Sequence, residues 1–278
     1  MSVPEPFKVP TLPYAPPSHR PNGWTASGAV SKMPRPQLKP FRLTDRDEII
    51  LSFLIRYGVA TYAQLARLCA TKEDTLRHRL SQLRDQQLIS IEKSELRFNL
   101  VTATREAASV CGMTVPGPSH TATTRAHMLA LGDAGIKLET TGWDVVTDRQ
   151  LVLALADLLS HPESADGAGP QLTSYGTCDP NMSSYFLPRL GTPARVVPDL
   201  VVRKQPDISS PGSAIAVEVQ LSRPSSKRLE STIAAYTRDA GRVFSSVVYV
   251  APYRDVRHTV EIAVRRSGAK TITVTPRL

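Results

Sequence analysis

The sequence predicts a mixed α/β fold (α+β), with helices and a hairpin first and alternating strands and helices last. Residues 44–85 place apolar side chains at helical spacing, and residues 88–101 alternate on both sides of a polar turn. From residue 196 onward, short apolar runs alternate with amphipathic segments, an order typical of a three-layer α/β domain. A hydrophobic fraction of 41% over 278 residues is enough for a globular core.

Residues 1–40 contain ten prolines. Proline fixes φ and removes a backbone donor, so we expect an extended or disordered tail. No apolar run approaches the roughly 20 residues of a membrane span, and the N-terminus lacks a signal-peptide core, so we expect no membrane partner. Cys69, Cys111 and Cys178 are scattered and odd in number, which favours a reducing cytoplasm.

The net charge of +9 is unevenly distributed. Residues 106–188 carry 3 basic and 9 acidic side chains, whereas residues 189–278 carry 15 basic and 7 acidic ones. A basic start and end around an acidic middle fits a polyanion-binding protein with a local cation site. A basic protein without a nucleic-acid partner is the alternative.

The segment from Thr44 to Gly58 predicts the first helix. Thr44 with Asp47 three residues later forms a capping-box pattern, and Gly58 is a typical helix stop. A second helix is predicted over residues 61–69. A third follows, with Thr71 as its cap and a buried stripe at Leu76, Leu80 and Leu83, and a β-hairpin comes after it.

Three helices followed by a hairpin predict a winged helix-turn-helix over residues 41–105. Its third helix keeps leucines for the core and presents polar and basic residues, which bond phosphates and base edges when such a helix enters the major groove of double-stranded DNA. The candidate DNA-binding residues are Lys72, Thr75, Arg77, His78, Arg79 and Gln82 on the helix and Lys93 and Arg97 on the wing. A protein–protein module is the alternative, and a homodimer is a further candidate assembly.

Residues 120–278 form the second predicted domain. Helices are expected over 122–139, 148–161, 227–238 and 255–266, and strands over 143–147, 196–203, 214–221, 243–250 and 271–275. A loop-rich insertion is expected near residues 162–192.

Two carboxylates stand within strand-like runs of this domain, Asp199 and Glu218. Strand side chains alternate between faces, so Glu218 shares a face with Gln220. If the two strands pair across residues 204–213, Asp199 lies beside Glu218. Such a pair repels unless a cation lies between its members, and Mg²⁺ suits carboxylate ligands. The alternative is a solvent-facing strand surface.

The pattern "PD" (198–199) followed by "EVQ" (218–220) resembles the PD-(D/E)xK nuclease-like core. With "HMLALGDAGIKLE" (127–139) and "VVTDRQL" (145–151), residues 43–275 resemble the replication-relaxation family of actinobacterial plasmids, phages and integrated elements. The resemblance implies a Mg²⁺-dependent phosphodiester-cleaving domain joined to a DNA-binding one, with replication or transfer proteins as candidate partners.

The resemblance assigns roles to individual residues. Asp199 and Glu218 would bind the metal, with Asp148 preferred over Glu139 as a third carboxylate. Arg149 and His127 are weaker candidates. Gln220 stands where the nuclease motif has lysine and is neutral, so it can orient water or phosphate but cannot supply charge. Lys227 is the candidate for the missing amine. A non-catalytic repressor or accessory factor with a degenerate nuclease fold stays the alternative.

Overall fold

The structure is a computed structural model that describes residues 41–94, 98–113, 122–153, 196–204, 214–238 and 244–278. The predicted tail (1–40), the predicted insertion near 162–192 and Arg97 lie outside these residues. Leu43–Leu278 form one compact unit. Its fold is mixed α/β, as the sequence predicts.

The first half of this unit is mainly helical. Its elements are α1 (Asp45–Tyr57), β1 (Ala60–Thr61), α2 (Tyr62–Leu68), α3 (Glu73–Asp85), β2 (Ile89–Lys93), β3 (Asn99–Ala103), α4 (Arg105–Val110) and α5 (Ala122–Thr140). β3 lies between β1 and β2 and pairs antiparallel with both.

The second half contains a five-stranded sheet. Its elements are β4 (Trp143–Thr147), a helix α6 (148–153), β5 (Leu200–Lys204), β6 (Ile215–Val219), α7 (Ser226–Arg238), β7 (Ser246–Val250), α8 (Arg254–Ser267) and β8 (Ile272–Thr275). The strand order is β4-β5-β6-β7-β8. Pairing is antiparallel from β4 to β6 and parallel from β6 to β8.

The cap that the sequence predicts for α1 is present. The Thr44 side chain accepts from the Asp47 N–H, and the Asp47 carboxylate accepts from the Thr44 N–H at 2.7 Å. Gly58 ends the helix with φ 84°, and its N–H donates to the Leu54 carbonyl oxygen. This positive φ favours glycine, which explains why the helix stops there.

The predicted cap of α3 is wrong by one residue. Lys72, not Thr71, is the N-cap, and it makes no side-chain cap hydrogen bond. Thr71 instead closes the end of α2, because its N–H donates to the Ala66 carbonyl oxygen while Ala70 adopts φ 47°. This is a Schellman ending, which takes Thr71 out of position to cap the next helix.

The sheet is buried on both faces. Val146, Val201, Ala216 and Val247 on one face form a core with residues of α7 and α8, such as Ile233 and Val260. The alternate set, which includes Val145, Val202 and Val217, is also buried, and α5 contacts β4, β5 and β6. Such burial of both faces explains why the strands read as nearly continuous apolar runs.

Helix α5 also contacts the first half of the unit. At its end, Glu139 accepts from the Tyr57 hydroxyl at 2.9 Å and pairs with Arg56. At its middle, the Gln64 side-chain amide donates to the Leu129 carbonyl oxygen at 2.7 Å. A Cβ at Gly135 would lie 2.0 Å from the buried Tyr57 hydroxyl oxygen, so α5 packs against α1 too closely for any larger residue.

Candidate functional site

The strand register brings the two predicted carboxylates together. β5 pairs antiparallel with β6 so that Leu200 is opposite Val217 and Val201 opposite Ala216. One further step in this register sets Asp199 opposite Glu218. Directly opposed side chains of an antiparallel pair lie on the same face, about 5 Å apart at Cβ. The pairing expected across residues 204–213 is therefore confirmed.

Asp199 is held at the start of β5, which begins later than predicted because Pro198 has no N–H for the ladder. Its Oδ2 accepts from the Val219 N–H at 2.7 Å, across the end of β6. Its Oδ1 lies 3.0 Å from Nε2 of His127 on α5. The hydrogen bond to Asp199 outweighs burial and raises the pKa of His127.

Glu218 points toward α7, where the Tyr236 hydroxyl donates to its Oε1. Burial and the charge of Asp199 raise the pKa of Glu218 well above its usual range. The hydrogen bond from Tyr236 and the charge of Arg228 offset only part of this shift. Glu218 is thus a carboxylate surrounded mainly by neutral or acidic neighbours.

Asp148 joins the same cluster from α6. The helix begins with a capping box, in which the Thr147 N–H donates to Gln150 Oε1 at 3.0 Å and the Gln150 N–H donates to Thr147 Oγ1. The Asp148 N–H donates to the Asp199 carbonyl oxygen at 2.9 Å. Burial and the charge of Asp199 raise the pKa of Asp148 to about 6. We call Asp148, Asp199 and Glu218 the carboxylate cluster.

The two predicted substitutes for the motif lysine occupy different positions. Gln220 follows the last residue of β6, and its side-chain amide donates to the Ser222 carbonyl oxygen at 2.7 Å. Lys227 is exposed in the first turn of α7. The cation whose charge lowers the pKa of Glu218 is its neighbour Arg228, which sequence reasoning missed. Adjacent helical residues differ by about 100° in direction, so the two side chains diverge.

Tyr249 on β7 borders the carboxylate cluster. The parallel register of β6 and β7 pairs it with Glu218. Tyr249 is 2% exposed, and its hydroxyl oxygen has no hydrogen-bond partner among the described residues. Burial and the charges of Glu218 and Asp199 raise its pKa. Sequence spacing does not place either tyrosine beside Glu218, because Tyr236 comes from the following helix and Tyr249 from a neighbouring parallel strand.

The three carboxylates and the unpartnered buried hydroxyl of Tyr249 are oxygen donors, the type of ligand that a hard divalent cation prefers. Two of the carboxylates already have hydrogen-bond partners in the protein. Asp199 is bonded to Val219 and His127, and Glu218 is bonded to Tyr236. Within the described ranges, no group of three or more His, Cys, Asp or Glu side chains has an arrangement that could hold a metal ion. A cation would have to displace some of these contacts.

The candidate DNA-binding residues of α3 divide into two groups. Lys72, Thr75 and His78 are exposed. Arg77 is exposed but pairs with Glu73 at 2.7 Å, and its guanidinium lies 5.4 Å from the centre of the Tyr62 ring. Lys93 is exposed on β2, at the far end of the hairpin from α3.

Arg79 and Gln82 belong to a packed network. Arg79 donates from Nε to Asp47 Oδ1 at 2.8 Å and from Nη2 to Asp47 Oδ2, and its Nη1 donates to Gln82 Oε1 at 2.7 Å. Asp47 is fully buried at the cap of α1. Arg79 therefore links α3 to the N-terminal turn of α1.

Comparisons with protein-family models, curated proteins and solved structures found no match. In the part of the chain that the structure describes, no helix combines the length and apolarity needed to cross a membrane. The functional assignment therefore depends on the residues of the carboxylate cluster and of α3.

Proposed function

We propose that this chain is a DNA-binding protein of a plasmid, phage or integrated element, of the replication-relaxation type. Residues 41–105 would act as a winged helix-turn-helix that binds double-stranded DNA, and residues 120–278 as a PD-(D/E)xK-like domain that cleaves a phosphodiester with Mg²⁺. The observation that carries the proposal is the opposition of Asp199 and Glu218 across β5 and β6, with Asp148 beside Asp199.

Bound Mg²⁺ would supply Lewis-acid activation of water and neutralise charge on the scissile phosphate. Asp199 and Glu218 would hold it, together with Asp148, whose pKa is raised by burial and by the charge of Asp199. Arg228 and Lys227 in the first turn of α7 would attract the phosphate, and Gln220 would orient water or a phosphate oxygen. Clusters of carboxylates with shifted pKa values are typical of functional sites.

The proposal predicts metal-dependent nicking of supercoiled plasmid DNA. We expect Glu218→Gln to lower the nicking rate by more than the roughly 10–100-fold that loss of an outer-shell partner costs, because a ligand is removed without a change of shape. The matched control is Glu230→Gln, the same substitution at an exposed position of α7. Equal nicking by wild type and Glu218→Gln would refute the site.

A non-catalytic DNA-binding protein is the second candidate function. It is favoured by Gln220 in the lysine position and by the protein donors that occupy Asp199 and Glu218. A gel-shift titration with and without Mg²⁺ separates the two functions. Both predict binding that weakens with salt, because phosphate contacts release counterions. Strand breakage that requires Mg²⁺ is expected only of the nuclease.

A further inference from the structure

The hydroxyl group of Tyr249 is the starting observation. It is buried, and no hydrogen-bond partner for it lies among the described residues. A buried polar group without a partner costs about 1–3 kcal/mol, a cost that phenylalanine at the same position would avoid. The hydroxyl therefore calls for a partner that the described residues do not provide.

The position of Tyr249 indicates where that partner would be. The side chain stands beside Glu218 in the β6–β7 register and on the same face of the sheet. The charges of Glu218 and Asp199 both act on its hydroxyl. Tyr236, the other tyrosine of the site, already donates to Glu218 Oε1. Of the two hydroxyls, that of Tyr249 is the one left to serve a ligand.

We infer that Tyr249 is a positioning residue whose hydroxyl donates to an oxygen atom of the ligand bound at the carboxylate cluster. That oxygen belongs either to the hydration shell of a divalent cation or to a DNA phosphate. The inference deepens the proposed function and depends on it. Chemically, the hydroxyl is a neutral donor in a site where Gln220 has replaced the charged donor of the motif.

The test compares the full-length wild type with Tyr249→Phe, which removes only the oxygen atom. Without metal, we expect Tyr249→Phe to melt at the same temperature as the wild type or higher, because an unpartnered hydroxyl is lost. Mn²⁺ binding measured by calorimetry forms the first arm. Binding of a duplex oligonucleotide in Ca²⁺ forms the second. Loss of one hydrogen bond predicts about 3–10-fold weaker binding in one arm.

The arm that changes identifies the oxygen. Weaker Mn²⁺ binding assigns it to the hydrated cation, whereas unchanged Mn²⁺ binding with weaker DNA binding assigns it to a phosphate. Tyr236→Phe is the comparison variant: because its hydroxyl is already bonded to Glu218, its loss should lower the melting temperature without metal.

Three results overturn the inference. Equal affinities of wild type and Tyr249→Phe in both arms would mean that the hydroxyl binds only a structural water. A lower melting temperature of metal-free Tyr249→Phe would mean that the hydroxyl has a protein partner. A wild type that binds neither Mn²⁺ nor DNA would overturn both the inference and the proposed function. If the wild type binds Mn²⁺ but does not nick DNA, only the cleavage step of the proposed function fails, and the inference about ligand binding stands.

Discussion

Asp47 and Asp148 both follow a threonine cap in the first turn of a helix, yet their pKa values move in opposite directions. At Asp47, burial raises the pKa, but the hydrogen bonds from Arg79 and Thr44 outweigh burial, so the pKa is lowered. At Asp148, burial and the charge of Asp199 raise the pKa to about 6, and the hydrogen bond from Arg149 is too weak to reverse this.

The difference lies in the partners and not in the local sequence. A guanidinium from α3 compensates the charge of Asp47, so that carboxylate stabilises the packing of two helices. At Asp148, burial and the charge of another carboxylate, Asp199, both disfavour the ionised form, so the Asp148 charge opposes folding at neutral pH. A carboxylate whose charge opposes folding is typical of functional sites.

The largest expected effect is at Asp47. We expect Asp47→Asn to lower the free energy of unfolding by about 1.5–3 kcal/mol, because it removes the charged hydrogen-bond partner of Arg79, whose side chain is 24% exposed. Chemical denaturation at pH 7 measures the change, and Asp45→Asn, at an exposed position of the same first turn, is the control.

The pH dependence of this effect has a definite sign. Since the folded pKa of Asp47 is lowered, its contribution is present at neutral pH and is lost as the pH falls below about 4. The difference between wild type and Asp47→Asn should therefore shrink in acid. A difference that stays constant down to pH 3 would show that the carboxylate charge is not what stabilises α3 on α1.

An opposite and smaller effect is expected at Asp148. Because its folded pKa is raised, stability is present below about pH 4 and is lost as the pH rises through about 6. Asp148→Asn should therefore raise the free energy of unfolding of the metal-free protein at pH 7.5, by about 1–2 kcal/mol after allowance for partial exposure. Thermal unfolding from pH 4.5 to 7.5 measures it. A destabilised variant would assign Asp148 a structural role.

The smallest effect is expected at Asp133, which pairs with Arg67 between α5 and α2. Both side chains are more than half exposed, at 54% and 57%. Asp133→Asn should change the free energy of unfolding by less than about 0.5 kcal/mol, and added salt should remove the change. A larger loss of stability that salt does not remove would mean that this exposed pair stabilises the fold as much as the buried Asp47 does. Burial would then not explain the difference between the two pairs.

Local sequence patterns predicted the elements that depend on near neighbours. The Thr44 cap, the Gly58 stop and the buried stripe of Leu76, Leu80 and Leu83 follow from spacings of three or four residues, and the structure confirms them. The opposition of Asp199 and Glu218 was predictable as well, because two apolar runs joined by a short polar connection favour antiparallel pairing.

Contacts between distant parts of the chain were not predictable from spacing. The sequence pattern predicts that Arg79 is an exposed basic residue of α3. Only the folded chain brings it to Asp47, 32 residues away. Tyr236 reads as a core residue of α7, and Tyr249 as part of an apolar strand. Their roles depend on which face of β6 meets α7, and on the parallel pairing of β7 with β6.

Helix α5 has a consequence for where DNA would be cut. It is bonded to α1 through Glu139, to α2 through Gln64 and to the hairpin through the pair of Arg125 with Glu92, while His127 contacts Asp199. Under the proposed function, α3 would bind DNA and the carboxylate cluster would cleave it. Both belong to the same compact unit. The strand break should then occur at a constant number of base pairs from the DNA sequence that α3 binds.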